Sequence, residues 1–408
     1  MPNETFYRNL TDALAKSYPE TDLAHPFRER ISPTLVSPHI LELPRGICDQ
    51  ASAVVTAFFR LRENSIWQSH IAGRLPPVPD PGNTSALMSY DFHIDSDQNL
   101  RLIEINTNAS LSLVVDELHR VQKIENVFSA DFRKEILATF EREMADAVLQ
   151  KARSSGVATG MAIEVAIVDE NPAAQKLFIE FVMYQELFKS RGWRARFFDA
   201  RELRFIAGKL SAQADPESIP IDLVYNRDTD FYFSNPEAVC LREAMMAKSV
   251  TITPHPHEYR LLADKDRLLE LSDDTFLDSL SLSDADRAVI AASRIKTIEV
   301  KQQDPDELWI NRKRYFFKPR RSHGGKAVYR GSSTSRGTFK AILAADYLAQ
   351  EIIPPPLVKF ASEDEEFKYD LRFYVYRDKI QLACARLYRG QMTNSQTPGG
   401  GVAPIRWI

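Results

Sequence analysis

Between about residue 160 and residue 254, apolar strands and helices alternate, and this constrains the fold more than any other feature of the chain. MAIEVAIVD, RARFFD, IDLVYNR and SVTITP are β-favouring runs, and KLFIEFVMYQELFKSRG and PEAVCLREAMMAK between them have helical spacing. Strands separated by helices must return in the same direction, so this stretch predicts a small parallel α/β domain. A chain of 408 residues is too long for one core, and two or three lobes are expected.

The flanks have a different texture. Residues 1 to about 80 read as helices broken by prolines, ending in AVVTAFFRL and the linker RLPPVPDPGN. SALMSYDFHID and NLRLIEIN then alternate around Ser96-Asp97-Gln98-Asn99, a hairpin signal. From Phe128 to about Lys151, Phe132, Ile136, Phe140, Met144 and Val148 recur at helical spacing. After Pro254 comes a helical region to about Ala292, then strands RIKTIEVK and RYFFKP, and the glycine-containing hairpin RSHGGKAVYRG. The helix FKAILAADYLAQ and the strands DLRFYVYR and KIQLACARLY complete the chain, with the tri-glycine at 399–401 as a loop marker. The expected domains are 1–155, 156–258 and 259–408.

Apolar residues make up 44% and charged residues 26%, the profile of a soluble globular protein. A net charge of −4 offers no global attraction to nucleic acid or membrane. Cys48, Cys240 and Cys384 form no CxxC pair, which suits a reducing compartment. With no apolar run near a membrane span and no leader pattern, a cytoplasmic location is expected.

Three constellations can carry chemistry. In Lys318-Pro319-Arg320-Arg321-Ser322-His323-Gly324-Gly325-Lys326, a lysine at a strand end and a glycine turn can present an ammonium and backbone N–H groups to phosphate. Residues 312–326 hold seven lysines and arginines and no acid, so a solvated or nucleic-acid-facing basic hairpin is the alternative. Glu104 and Asn106 share one strand face, and Asp91 can reach it from the partner strand, offering hard oxygen ligands for magnesium or simply a polar face. Arg372 and Arg386, on consecutive strands, can fork onto phosphate or carboxylate, or form surface salt bridges. Arg227 closes a strand of the α/β region, where open sheets bind ligands, and is a candidate substrate contact. His255-Pro256-His257 lacks a third metal ligand.

Together these elements resemble the ATP-grasp superfamily: FFKPRRSHGG for the lysine strand and glycine loop, Gln350-Glu351-Ile352-Ile353 for the adenine hinge, Asp370-Leu371-Arg372, Arg386 and Asn394 for the later strands and loop, and YDFHIDSDQNLRLIEINTN for the metal strands. The metal strands come first here, so the chain resembles a circularly permuted ATP-grasp protein, as in glutathione synthetase and glutathionylspermidine synthetase-like ligases. The fold implied is α/β with α+β lobes, a permuted ATP-grasp core beside a small parallel pre-ATP-grasp domain.

The resemblance implies ATP and two Mg2+ ions, with Asp91, Glu104 and Asn106 as metal ligands. Lys318, Ser322, His323, Gly324, Gly325, Gln350, Glu351 and Ile353 would contact ATP. A second ATP lysine is expected upstream, with Lys296 favoured over Lys301. Arg372 and Arg386 would be catalytic, and Arg227, Arg389 and Asn394 would meet the substrate; Gln396 stands where such ligases often have arginine. The implied activity joins a small-molecule carboxylate to an amine through an acyl phosphate. A kinase, a protein-modifying amino-acid ligase and a nucleotide- or nucleic-acid-binding module are the alternatives. No membrane partner is expected, and the oligomeric state stays open, with a homodimer as one option.

Overall fold

The computed structural model describes residues 2–73, 77–147, 162–213, 218–320, 327–394 and 396–408. The hairpin forms as expected. Strands Met88–Ile94 and Leu100–Asn106 pair antiparallel, and the Asp95 carboxylate pins the turn by accepting from the N–H groups of Asp97 (3.0 Å) and Asn99 (2.9 Å). Its other neighbour lies far along the chain. Met88–Ile94 pairs with Phe367–Tyr376, which pairs in turn with Lys379–Tyr388 and then Gly401–Ala403, all antiparallel.

The period-two alternation gives this sheet two chemically distinct faces. Tyr90, Phe92, Leu371 and Phe373 are buried on one side, in a core shared with the helix Gly46–Glu63 through Val54, Val55 and Phe58. Asp91, His93, Asp370 and Arg372 alternate with them and so occupy the other side. The helix Gly46–Glu63 thus covers the apolar back of the sheet, while on the front Tyr374, Leu382 and Cys384 join a second core with Leu10, Leu14 and Leu113 and the stretch around Asp370 and Arg372 stays polar.

The four strands of the α/β region form a parallel sheet in the order Thr251–Thr253, Leu223–Asn226, Glu164–Val168, Arg194–Phe198. Val165 to Val168 are all at most 1% exposed, because a parallel strand is covered on both faces. A small antiparallel meander, Leu203–Ile206, Lys209–Ala212 and Ile219–Pro220, is additional to the alternation read from sequence.

A second antiparallel sheet, Thr297–Glu299, Tyr347–Glu351, Tyr315–Pro319 and Tyr329–Arg330, carries the lysine strand. Here one expectation is corrected. FKAILAADYLAQ is not one helix: the helix Arg336–Ala344 stops, and Tyr347–Glu351 is a strand between two others. The tri-glycine is more than a loop marker. Gly401 has φ +97, and a Cβ there would lie 2.4 Å from the Leu35 carbonyl carbon, so only glycine lets the segment at Leu35–Ser37 pack against the last strands. Leu41–Leu43 pairs in parallel with Ile405–Trp407, bringing the segment before the helix Gly46–Glu63 against the last strand. The long helix spans Phe132–Asp146; its expected end near Lys151 and the domain boundary at 155 lie outside the described residues. No helix is long and apolar enough to cross a membrane among the described residues.

Candidate functional site

The polar front of the large sheet and the lysine-bearing sheet enclose a cavity of about 530 Å³. The strand Tyr347–Glu351 runs into residues 352–356, which connect to Leu357–Val358 on the edge of Phe367–Tyr376, so this linker joins the two sheets along one side of the cavity. Glu104, Asn106, Lys318, Gln350, Glu351, Ile353, Arg372 and Arg386 all line it. Residues more than two hundred positions apart in sequence therefore share one cavity wall.

Lys318 is held between its strand neighbours opposite Leu348. Burial lowers its pKa, the Glu104 carboxylate works against that, and the ammonium of Lys265 adds to the lowering. Lys265 behaves alike: burial lowers it, with Glu104 and Asp264 opposing. Two desolvated ammonium groups beside one carboxylate suit a polyanion that neutralises them on binding.

On the floor, Asp91 and Arg372 sit opposite each other on neighbouring strands and form a bidentate pair at 2.8 and 2.7 Å. Arg386 reaches Asp91 Oδ2 at 2.9 Å and Asp370 Oδ1 at 2.5 Å, and the Thr393 hydroxyl donates to Asp370 Oδ2 at 2.6 Å. Asn106 Nδ2 lies 3.3 Å from Asp91 Oδ2 and 3.4 Å from Glu104 Oε1. Asp91 is 0% exposed and does not line the cavity, whereas Glu104 and Asp370 do. Of the three expected metal ligands, then, only Glu104 and Asn106 face the cavity.

His93 also lines the cavity, with Nδ1 2.8 Å from the Ile353 carbonyl, tying the floor to the linker. Burial lowers its pKa, which keeps the ring neutral near pH 7. Gln350 reaches the Ile103 carbonyl at 3.4 Å, and Glu351 pairs with Arg314 at 3.0 Å.

Other expected residues lie elsewhere. Lys296 and Lys301 are exposed and do not line the cavity; Lys265 does. Its signal in sequence was Asp264-Lys265-Asp266 at the mouth of a helical stretch, which read as a helix start. Arg227 is buried and donates to Ala109 O (3.2 Å) and Ser110 Oγ (2.6 Å), fastening the loop after Asn106 instead of meeting open space. Arg389 pairs with Glu363 at 3.0 Å. Asn394 donates to Arg389 O at 2.8 Å and accepts from Gln396 N at 3.0 Å, stapling its own loop; its neighbours Met392 and Thr393 face the cavity. Ser322, His323, Gly324 and Gly325 lie outside the described residues. His255 and His257 form no metal centre, and no cluster of three or more His, Cys, Asp or Glu able to hold a metal occurs among the described residues.

Comparison with solved structures identifies the fold. A glutathione synthetase-like effector from Globodera pallida aligns over 99% of this chain and 97% of its own, with 12% identity and a TM-score of 0.56. A gamma-glutamylcysteine synthetase-like protein of Methylobacillus flagellatus (10% identity, 88% and 86% covered, TM-score 0.40) also aligns. So does the ATP-grasp ligase PsnB, complexed with a phosphomimetic variant of its minimal precursor, Mg and ADP (13%, 61% and 90%, 0.30). No family model and no curated protein matches the chain. The chain shares its α+β fold along its length with the glutathione synthetase-like effector.

Proposed function

We propose that the chain is an ATP-dependent ligase that joins a carboxylate to an amine through an acyl phosphate, releasing ADP and phosphate. The observation that carries this reading is the shared cavity, where Glu104 and Asn106 face Lys318 and Lys265 between two antiparallel sheets. The fold held in common with the glutathione synthetase-like effector supports it at the level of architecture.

ATP would lie with its base against Gln350, Glu351 and Ile353 and its phosphates towards Lys318 and Lys265. Magnesium prefers hard oxygen ligands, often one or two carboxylates completed by phosphate oxygens. The donor set fits: Glu104 and Asn106 are oxygen donors that open on the cavity, and two ions are expected there. Bound magnesium would neutralise charge on the phosphates during transfer. Arg372 and Arg386 would meet the transferring group, since positioning and charge stabilisation dominate phosphoryl transfer. Enclosure between the sheets would keep water from the acyl phosphate.

The test screens carboxylate and amine pairs for acceptor-dependent ADP release, with mass spectrometry of the product. An amide supports the ligase; a phosphorylated product without an amide would make the chain a kinase instead. A Glu104→Ala protein that turns over ATP at the normal rate with its acceptor would sink both.

A further inference from the structure

Asp91 is the most enclosed charge on the cavity floor, and its oxygens are already taken. Oδ1 accepts from Arg372 Nε (2.8 Å), with the Ser89 hydroxyl at 3.5 Å. Oδ2 accepts from Arg372 Nη2 (2.7 Å), Arg386 Nη2 (2.9 Å) and Asn106 Nδ2 (3.3 Å). A carboxylate offers about four lone-pair sites, so these donors leave none facing outward. A metal ion seated on Asp91 would have to displace a bidentate arginine, the strongest kind of pair a carboxylate makes with a side chain.

The arginines show the complementary pattern. Arg372 spends Nε and Nη2 on Asp91, and Arg386 spends Nε on Asp370 and Nη2 on Asp91. Each keeps Nη1 without a partner among the described residues, and both side chains line the cavity. Two guanidinium groups this close repel unless a shared anion holds them. Asp91 is that anion, joined by Asp370 on the far side of Arg386.

We propose that Asp91 is a positioning residue and not a metal ligand: it holds Arg372 and Arg386 side by side so that their remaining N–H groups grip the terminal phosphate of a bound nucleoside triphosphate. This rests on the nucleotide-binding reading above. Metal binding then falls to the residues that open on the cavity, Glu104 among them.

The experiment measures two quantities on the same protein: Mn2+ affinity in the presence of ADP, by electron paramagnetic resonance, and the preference for a non-hydrolysable ATP analogue over ADP, by calorimetry. For Asp91→Asn, Mn2+ affinity is expected to stay within about twofold of the native protein, while the preference for the analogue falls at least tenfold. Glu104→Gln is expected to lose Mn2+ affinity instead. A tenfold loss of Mn2+ affinity in folded Asp91→Asn, or an unchanged analogue preference, overturns the proposal.

Removing a buried charge can unfold a protein, so Asp91→Glu is the second variant. The longer carboxylate pushes both guanidiniums off station, so a lost analogue preference with Mn2+ retained supports the proposal. Retention of both, or loss of Mn2+, refutes it. If the native protein binds neither nucleotide, the functional reading itself fails. If it binds them and only the variants disagree, the fault lies with Asp91 alone.

Discussion

Glu143 offers a sharp test of how the sheets are held together. Its buried carboxylate accepts five hydrogen bonds from three separate parts of the chain. Oε1 takes the Thr84 N–H (3.2 Å), the Thr84 hydroxyl (2.8 Å) and the Tyr376 hydroxyl (2.9 Å); Oε2 takes Asn83 Nδ2 (2.9 Å) and the Thr253 hydroxyl (2.9 Å). The knot therefore ties the segment before the hairpin to the cavity floor through Tyr376 and to the parallel sheet through Thr253. Glu143→Gln keeps the shape but puts an amide N–H₂ at one end. At the Oε1 end the amide would face the Thr84 N–H, which cannot become an acceptor; at the Oε2 end Asn83 could accept only by flipping its amide, which gives up its bond to the Ile252 carbonyl (3.0 Å). Either way one buried polar group loses its partner, at about 1–3 kcal/mol, and the remaining bonds lose their charge assistance. Together these cost about 3–5 kcal/mol, a large share of the stability of a typical domain. Urea denaturation followed by circular dichroism measures it. Glu141→Gln, two residues before Glu143 on the same helix and part of a half-exposed ion pair with Arg191, is the control, with a change of at most about 1 kcal/mol. A loss under about 1 kcal/mol for Glu143→Gln would refute the knot as a structural tie.

Three further outcomes follow from the geometry. Lys318→Ala and Lys265→Ala should each weaken ATP binding roughly ten- to a hundredfold, as loss of a charge-assisted bond does, while Lys296→Ala changes it less than about twofold; calorimetry separates them. Because burial lowers both cavity lysines from 10.5, each loses its proton at a lower pH than a free lysine, and ATP, which needs the ammonium forms, should bind more weakly as pH rises through those lowered values. Binding within that range should then take up protons, seen as a buffer-dependent enthalpy; no dependence on buffer anywhere below the pH at which a free lysine titrates would contradict the assignment. Gly401→Ala should cost about 3 kcal/mol or more in thermal unfolding, since its Cβ would push Leu35 away and release Ser37 N–H to Val402 O (2.8 Å) and Val402 N–H to Leu35 O (2.9 Å). Gly46→Ala, with nothing within 4 Å of its added Cβ, should be neutral or mildly stabilising.

The parts of the fold legible in sequence are those whose causes are local. The central parallel strands Glu164–Val168 and Leu223–Asn226 announced themselves because strands covered on both faces become continuous apolar runs, and the hairpin because period-two alternation surrounds a polar turn. The strand Tyr347–Glu351 hid inside a helical pattern because AADYLAQ fits either period, and only pairing with two distant strands decides it. The linker before the hairpin has no regular structure where it is described, as expected, but the burial of its end is set by distant residues too. Asn83 and Thr84 look like loop residues, yet they are buried because Glu143, sixty positions away, needs their donors. The same limit applies to Gly401, whose partner is the backbone of Leu35.

At the site, periodicity predicted faces correctly and roles less well. That Asp91 shares a face with Arg372 follows from alternation and cross-strand pairing, and the two do meet. What alternation does not encode is which member of a polar row ends up enclosed by the others. Asp91 lies in the middle of the sheet, flanked by Met88–Ile94's two partner strands, so arginines from one side and Asn106 from the other close over it. Glu104 lies on the outer strand of the same sheet and has a neighbour on one side only, which leaves its carboxylate open to the cavity. Two acids with the same apparent credentials thus divide into a holder of arginines and a candidate holder of metal, and strand order, fixed by residues nearly three hundred positions away, makes the division.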